Sequence, residues 1–121
     1  MDANIEHALK TDALIDITTL GKKSGKPHRI EIGFHNLEGV LYISGRPGKR
    51  DWYANLVANP RFTFHVKQSA QADLPARATP ITDEAARQQV LSTIVAKWGQ
   101  QAEIESYLQH SPLVQVQLEG E

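Results

Sequence analysis

Apolar and polar residues alternate strictly from Arg29 to His35, and this pattern constrains the fold more than any other stretch. Successive side chains of a β-strand point to opposite faces, so every second residue here is predicted to face the core. These residues are Ile30, Ile32 and Phe34. Residues 36–39 have the composition of a turn, and the apolar run Val40–Ser44 is predicted to be the returning strand of a hairpin. Such a hairpin favours an antiparallel sheet.

Four further segments have the composition of strands. They are Leu14–Leu20, Arg61–Lys67, Ala72–Ile81 and Leu113–Leu118. Pro75 and Pro80 predict that the third of these lies at an edge or rim of the sheet, because proline cannot donate a hydrogen bond to a neighbouring strand. Helices are predicted over Asp2–Lys10, over Trp52–Ala58 with Asp51 as its cap, from Thr82 to Trp98 with the Trp98 indole in the core, and over Gln100–Gln109.

Six strands joined mostly by short turns predict a mainly β protein of the α+β class. We expect a six-stranded antiparallel sheet that closes, or nearly closes, into a barrel with the helices packed outside. A chain of 121 residues is long enough for one core and too short for two. Residues 1–121 are therefore predicted to form a single domain.

Positive charge is concentrated in one part of the chain, although the net charge is only −1. From Lys22 to Arg50 there are seven basic and two acidic residues, a local excess of five, so the remaining residues carry a net charge of −6. A localised positive field suits one anionic ligand better than a long polyanion, and a nucleic-acid partner is not expected.

The absence of cysteine excludes disulfides, thiolate metal sites and cysteine nucleophiles. The first residues lack the basic start and apolar run of a signal peptide, and no segment approaches the roughly 20 apolar residues that span a membrane. A cytoplasmic location without a transmembrane segment is expected. The five histidines lack metal-ligand spacing, so no metal site is predicted. His35 and His65 are interpreted as satisfied or solvent-facing side chains on polar strand faces.

The basic loop Gly21–Arg29 lies between two predicted strands and carries four fixed positive charges. It is not a nucleotide-binding P-loop, because only three residues separate Gly21 from Gly25 and Pro27 follows the lysine. Glycine leaves backbone N–H groups accessible, and lysine and arginine add donors suited to phosphate or carboxylate. An ordinary solvated loop is the alternative, and a second glycine-basic loop, Gly45–Arg50, makes that alternative less favoured.

Catalytic side chains are not evident in the sequence. It lacks the Gly-x-Ser-x-Gly elbow and the Ser-His-Asp order of hydrolases, and single acids such as Asp16 and Glu31 are better read as partners of nearby cations. Trp52 is equally well interpreted as core packing or as the wall of a planar ligand. Any redox chemistry would have to come from a bound cofactor.

Three blocks of sequence resemble the deazaflavin (F420)-dependent nitroreductase and quinone reductase family. They are Thr18-Thr19-x-Gly21-Lys22-Lys23-Ser24-Gly25-Lys26-Pro27-x-Arg29, then Leu41-Tyr42-Ile43-Ser44-Gly45, then Asp51-Trp52-Tyr53-Ala54-Asn55-Leu56-x-Ala58-Asn59-Pro60. They occur in the order and spacing of the family and cover roughly Ile15 to Val66. The resemblance implies a split β-barrel related to the FMN-binding pyridoxamine phosphate oxidase group.

The resemblance also implies a coenzyme site and a reaction. The basic loop would hold the phosphate and acidic tail of a deazaflavin through Lys22, Lys23, Ser24, Lys26 and Arg29. Its ring would be flanked by Ile32, Gly33, Ser44, Gly45 and Arg46, with Lys49, Trp52, Tyr53 and Asn55 closing the rim. Hydride would pass from the reduced coenzyme to a small planar acceptor such as a quinone, nitro compound or activated alkene. Ser44 would be a candidate hydrogen-bond donor to ring or substrate.

Two departures from the family pattern limit what the resemblance implies. Gly33 stands where many members have a bulky aromatic residue, which leaves a wider pocket or a gap filled by another side chain. Only Tyr107 is present where quinone-reducing members have several tyrosines, so no quinone site is implied. An FMN-dependent reductase of the same fold, a non-catalytic flavin or deazaflavin carrier, and a small nucleic-acid-binding barrel are the alternatives. The sequence shows no clear dimer surface and leaves a homodimer open.

Overall fold

Four helices and seven strands form the fold in a computed structural model that describes residues 1–119. The helices are α1 (Ala3–Thr11), α2 (Asp51–Ala58), α3 (Glu84–Lys97) and α4 (Ile104–His110), the last preceded by a 3-10 turn over Gln101–Glu103. The strands are β1 (Leu14–Leu20), β2 (Pro27–Gly33), β3 (His35–Leu37), β4 (Val40–Ser44), β5 (Arg61–Val66), β6 (Ala72–Pro80) and β7 (Leu113–Leu118). The predicted α+β class and the predicted order of elements are confirmed.

One antiparallel sheet contains all seven strands, in the order β2-β1-β5-β6-β7-β4-β3. Its two outermost strands are consecutive in the chain and are separated only by Phe34, so the sheet curls until its edges share one segment. The prediction of six strands was wrong because the segment through Phe34 changes partner. Gly33 pairs with Leu14 in β1, whereas His35 pairs with Tyr42 in β4.

β6 lies between β5 and β7, so its predicted position at an edge or rim was wrong. The carbonyl oxygen of Pro75 accepts a hydrogen bond from the Glu119 N–H at 2.8 Å, so the Pro75 nitrogen faces the β7 side as well. On that side Pro75 lies one residue beyond the last β6–β7 pair, Ala76 with Leu118. Proline is tolerated there because its missing N–H falls at the end of the ladder. Pro80 is the last residue of the strand. Neither proline removes a hydrogen bond from the middle of the ladder.

The barrel interior is lined by the inward residues of β1, β4, β5 and β7, and α2 adds Trp52 and Leu56. A smaller cluster joins α3 to the start of β7. Two residues predicted to be core are instead partly exposed. Ile30 is 38% exposed because β2 is an edge strand, and Trp98 is 38% exposed because α3 ends at Lys97, just before it.

Side-chain caps start two of the helices. Asp2 accepts from the Asn4 and Ile5 N–H groups, and Asp83 accepts from the Ala86 N–H. The cap predicted at Asp51 was wrong, because α2 begins at that residue and no side chain caps it. Over residues 1–119, no helix is both long and apolar enough to cross a membrane.

Candidate functional site

The basic loop between β1 and β2 is a tight, internally bonded turn. The Gly21 N–H donates to the Lys26 carbonyl at 2.8 Å, and the Gly25 N–H donates to the Gly21 carbonyl at 2.9 Å. Gly25 has φ +68°, which favours glycine. A Cβ at Gly21 would lie 2.5 Å from the Ser24 Oγ, so both glycines are required by the shape of the loop.

Asn55 of α2 holds this loop in place. Its Oδ1 accepts from the Lys22 N–H at 2.9 Å, and its Nδ2 donates to the Thr19 Oγ1 at 3.1 Å. The Asn55 side chain is buried, so both of its polar atoms are occupied by the protein. Asn55 was predicted to close the rim of the coenzyme site; it lines a cavity beside this loop and also holds the loop in position, and its contact with a coenzyme stays a prediction.

A cavity of about 550 Å³, called here the loop cavity, opens between the basic loop and α2. It is lined by Thr19, Gly21, Lys22, Lys23, Ser24, His28, Ile30, Asp51, Trp52, Ala54 and Asn55. Trp52 packs in the core and also lines this cavity, so its core packing is confirmed and its role as the wall of a planar ligand stays a prediction. The Lys23 and Ser24 N–H groups have no acceptor in the part of the chain that is described.

The positive charge predicted from Lys22 to Arg50 is largely unneutralised. Of its seven basic residues, only Arg29 forms an ion pair within residues 1–119. The residues that line the loop cavity include two lysines that form no ion pair with the described residues, Lys22 and Lys23, and one acid, Asp51. Such a surface can bind phosphate or carboxylate through charge-assisted hydrogen bonds.

Arg29 and Lys26 do not line the loop cavity. The Arg29 Nε donates to Asp16 at 3.0 Å on the outer face of the sheet, where the Lys67 ammonium also bonds to Asp16 and Glu31. Hydrogen bonds from Lys67 and then Arg29 hold the pKa of the Asp16 carboxyl below its ordinary value. This network joins β1, β2 and β5 and does not contribute to the cavity.

A second cavity, of about 790 Å³, lies at the other end of β1 and β2 and is called here the hairpin cavity. Four residues predicted to flank a ring line it: Gly33, Ser44, Gly45 and Arg46. The buried Ser44 hydroxyl donates to the Pro112 carbonyl at 2.6 Å, so its only proton is already engaged. The role of Ser44 as a donor to ring or substrate stays a prediction that needs this bond to break.

His35 is the main residue of the hairpin cavity that the sequence did not indicate. It is 8% exposed, its imidazole makes no hydrogen bond to any of residues 1–119, and its ring meets the Trp98 indole edge-on at 5.2 Å between centroids. Burial and then the Lys97 charge lower the pKa of His35 to about 4. His35 is therefore neutral at pH 7, with a donor and an acceptor nitrogen available.

The two strand histidines differ in their environment. His65 is buried and satisfied, with ring nitrogens 2.7 Å from the Thr18 Oγ1 and 2.6 Å from the Asp73 carboxylate. This matches the interpretation of a satisfied imidazole, whereas His35 is neither satisfied by the protein nor exposed. The change of partner at Phe34 explains the difference, because it turns His35 towards the cavity. Gly33, which directly precedes Phe34 and is conformationally flexible, is the only residue in the sequence that could have indicated a kink in this strand.

The remaining predicted site residues are distributed elsewhere. Ile32 packs against the barrel core, between the two cavities, while Lys49 and Tyr53 line a third cavity beside α4. Among the residues the structure describes, no group of three His, Asp or Glu side chains could hold a metal ion.

The family model "F420H(2)-dependent quinone reductase" matches residues 1–119. The chain belongs to this family. The curated proteins contain no significant match to its sequence. The F420H(2)-dependent quinone reductase family is one of oxidoreductases, and the resemblance drawn from the three sequence blocks is confirmed.

Solved structures similar to this family member share its fold at low sequence identity. A candidate pyridoxamine 5′-phosphate oxidase from Listeria innocua is 16% identical, with a TM-score of 0.72, over 96% of this chain and 91% of its own. The heme storage protein of Vibrio cholerae is 19% identical, with a TM-score of 0.72, over 97% and 89%. An FAD-binding protein of Mesorhizobium loti is 17% identical, with a TM-score of 0.68, over 99% and 91%. The split-barrel fold is thus confirmed.

Proposed function

We propose that this protein is a reductase that uses a reduced deazaflavin coenzyme to transfer hydride to a small planar acceptor, such as a nitro compound, a quinone or an activated alkene. Membership of the F420H(2)-dependent quinone reductase family supports the choice of coenzyme. The class of acceptor is the one that the resemblance to the nitroreductase and quinone reductase family implies.

The inner face of β2 carries the proposal. The loop cavity lies towards the Pro27 end of the strand and reaches Ile30, and the hairpin cavity begins at Gly33, so their nearest lining residues on β2 are about 10 Å apart. The apolar side chains of Ile30 and Ile32 link the two cavities, and no other element covers them completely. Both ends carry cations, but the hairpin cavity also has the aromatic rings of Phe34 and Trp98. This arrangement suits a ligand with an anionic tail and a planar ring.

Residues of the two cavities would divide the work of binding. Lys22 and Lys23 would neutralise the phosphate and acidic tail, while the Ile30 surface would exclude water from one side of the ligand. In the hairpin cavity, the neutral His35 imidazole can donate a hydrogen bond to an acceptor oxygen without adding charge. Trp98 lies in the same cavity as Gly33, so it would fill part of the space that a bulkier residue occupies in other members.

Bound coenzyme would supply the hydride, and the protein would supply orientation and charge. The acceptor would gain two electrons with that hydride and a proton from solvent, while Lys22 and Lys23 would hold the coenzyme tail. No covalent step on the protein is required. With the tail in the loop cavity and the ring in the hairpin cavity, the acceptor would meet the ring in the hairpin cavity, where Trp98 is part of the wall.

Two alternatives share this geometry. FMN also has a phosphate and a planar ring, and the FAD-binding protein of Mesorhizobium loti shows that the fold can carry a flavin. A non-catalytic carrier of either cofactor would have the same cavities. Titrating the purified protein with oxidised and reduced deazaflavin, with FMN and with single-stranded DNA, followed by ligand fluorescence, identifies the cofactor, and oxidation of the reduced deazaflavin on addition of a nitro compound distinguishes a reductase from a carrier. Micromolar binding of FMN without binding of deazaflavin would refute the proposal.

Replacing Lys22 and Lys23 together by alanine tests the anionic end of the site. We expect affinity for the deazaflavin to fall by roughly tenfold or more, because charge-assisted hydrogen bonds are lost, and its salt dependence to weaken. The matched control is Arg61→Ala with Arg77→Ala, which removes two exposed positive charges from neighbouring positions of β5 and β6. Equal losses in the two double variants would mean that net charge, and not this loop, determines affinity.

A further inference from the structure

The third cavity contains basic side chains and no acid. It has a volume of about 670 Å³ and lies beside α4, and it is called here the helix cavity. Its lining residues are Pro47, Gly48, Lys49, Arg50, Tyr53, Thr82, Arg87, Gln109, His110, Ser111 and Pro112. The acids next to these residues in the chain line other cavities: Asp51 lines the loop cavity, and Asp83 and Glu84 line a cavity on α3 that shares Arg87 and Gln109 with the helix cavity.

Arg87 brings a fixed charge that the protein does not neutralise. Its guanidinium donates to four backbone carbonyls: Leu108 and Ile81 at 3.0 Å, Tyr107 at 3.3 Å and Ser111 at 2.8 Å. It has no carboxylate partner within residues 1–119. A guanidinium has five N–H donors, so one remains for a ligand.

Ser111 supplies an unsatisfied hydroxyl at the same place. The residue is 4% exposed. Among the buried side-chain oxygen and nitrogen atoms of the described residues, its Oγ is the one that has no hydrogen-bond partner. Buried polar groups in folded proteins are nearly always bonded, so an orphan at the wall of a cavity calls for a partner from outside the protein. The Oγ itself has almost no accessible surface, so an anion accepts a hydrogen bond from it once the side chain rotates towards the cavity that Ser111 lines.

The walls of the helix cavity are held firmly. The Gly48 N–H donates to the His110 carbonyl at 3.0 Å, and Arg50 donates to the Arg46 and Lys49 carbonyls at 3.1 and 3.0 Å. The Ser111 N–H donates to the Tyr107 carbonyl at 3.0 Å. A site that is already formed loses little entropy when a ligand binds.

The helix cavity is also separated from the loop cavity. α2 contributes Trp52 and Asn55 to the loop cavity, whereas it contributes Tyr53 to the helix cavity. The two cavities share no lining residue. We propose that the helix cavity binds a compact oxyanion, phosphate or carboxylate, independently of any ligand in the loop cavity.

Each cavity contains one histidine that can report on it by NMR: His110 in the helix cavity and His28 in the loop cavity. Inorganic phosphate and malonate are titrated separately into the full chain while the Cε1 protons of both histidines are followed. We expect a saturable shift of the His110 signal with at least one of the two anions. Ser111→Ala should weaken that response roughly fivefold or more, because it removes one hydrogen bond to a charged group.

Two further variants keep the test decisive. Lys49→Ala changes an exposed residue and should weaken the His110 response even if Ser111→Ala fails to fold. The double variant Lys22→Ala with Lys23→Ala should leave the His110 response unchanged. A linear or absent response with both anions, or one that is equal in wild type, Ser111→Ala and Lys49→Ala, would overturn the proposal. So would loss of the response in the loop variant. No coenzyme is present, so the outcome is independent of the proposed reductase function.

Discussion

At the scale of single residues, His35 shows how burial determines chemistry. Its neighbours in the hairpin cavity include the cations of Lys10, Arg46 and Lys97, and it has no carboxylate hydrogen-bonded to it within residues 1–119. An imidazolium ion there would be both desolvated and repelled. The low pKa of His35 therefore follows from its position, and it favours a role as a neutral hydrogen-bonding group over one as a proton donor at neutral pH.

His35 should make stability depend on pH between about 6.5 and 4. The unfolded chain protonates His35 near its ordinary pKa of 6.5, whereas the folded protein does so only near 4. The contribution of His35 to the free energy of unfolding is therefore fully present above pH 6.5, and it decreases as the pH falls, by about 3 kcal/mol at pH 4. Urea denaturation of wild type and His35→Gln at intervals across this range measures the effect.

The difference between those two proteins isolates His35 from the other titrating groups. Asp16 and Asp73 also have lowered pKa values, the latter through its hydrogen bond to His65, but these carboxylates lose their contribution only below about pH 4. The curves of wild type and variant should therefore converge as pH falls from 6.5 to 4. Parallel curves would show that His35 titrates normally.

At the scale of elements, the basic loop depends on α2 for its shape. Asn55 alone connects the helix by side-chain hydrogen bonds to both Lys22 and Thr19. Asn55→Ala would leave the Lys22 N–H and the buried Thr19 hydroxyl without their partner, so we expect it to lower the free energy of unfolding by about 1–3 kcal/mol. Denaturation measures this loss, and faster hydrogen exchange of the Lys22 amide locates it.

Asn59→Ala is the matched control for that experiment. Asn59 follows the same helix, and its side chain makes no hydrogen bond to the described residues. Its replacement should change stability by no more than about 0.5 kcal/mol. If Asn55→Ala is equally mild, or if the Lys22 amide exchanges at the wild-type rate, α2 does not hold the loop.

Elements whose identity depends on local pattern could be predicted from the sequence. β1, β4 and β7 have the predicted bounds because alternation and β-branched composition are properties of the segment itself. The kink at Phe34 and the interior position of β6 depend on which strands pair, which no local pattern contains. The same distinction applies to the candidate site. Lys22 and Lys23 line a cavity as expected from the local sequence, whereas His35 lines a cavity only because the strand changes partner at Phe34.

At the scale of the whole molecule, Phe34 closes the barrel. Its backbone N–H donates to the Ala13 carbonyl at 3.1 Å, and its buried ring meets Phe64 edge-on at 5.5 Å between centroids. β2 and β3 form the two edges of the sheet, and β2 ends just before this residue while β3 begins just after it. The same closure leaves the inner face of β2 uncovered, so the architecture that stabilises the barrel also produces the groove between the loop and hairpin cavities.

Comparing Phe34→Ala with Ile30→Ala separates closure from ligand binding. Phe34→Ala should lower the free energy of unfolding by about 3–5 kcal/mol, because a buried ring is lost, and should speed hydrogen exchange in β2 and β3 together. Ile30→Ala removes a side chain that is already 38% exposed, so we expect a loss of about 1 kcal/mol or less and weaker binding of the deazaflavin. Denaturation, hydrogen exchange and fluorescence titration measure the three quantities. Faster exchange confined to β2 in Phe34→Ala would show that Phe34 does not couple the two edges. Unchanged affinity in Ile30→Ala would remove the inner face of β2 from the proposed coenzyme site.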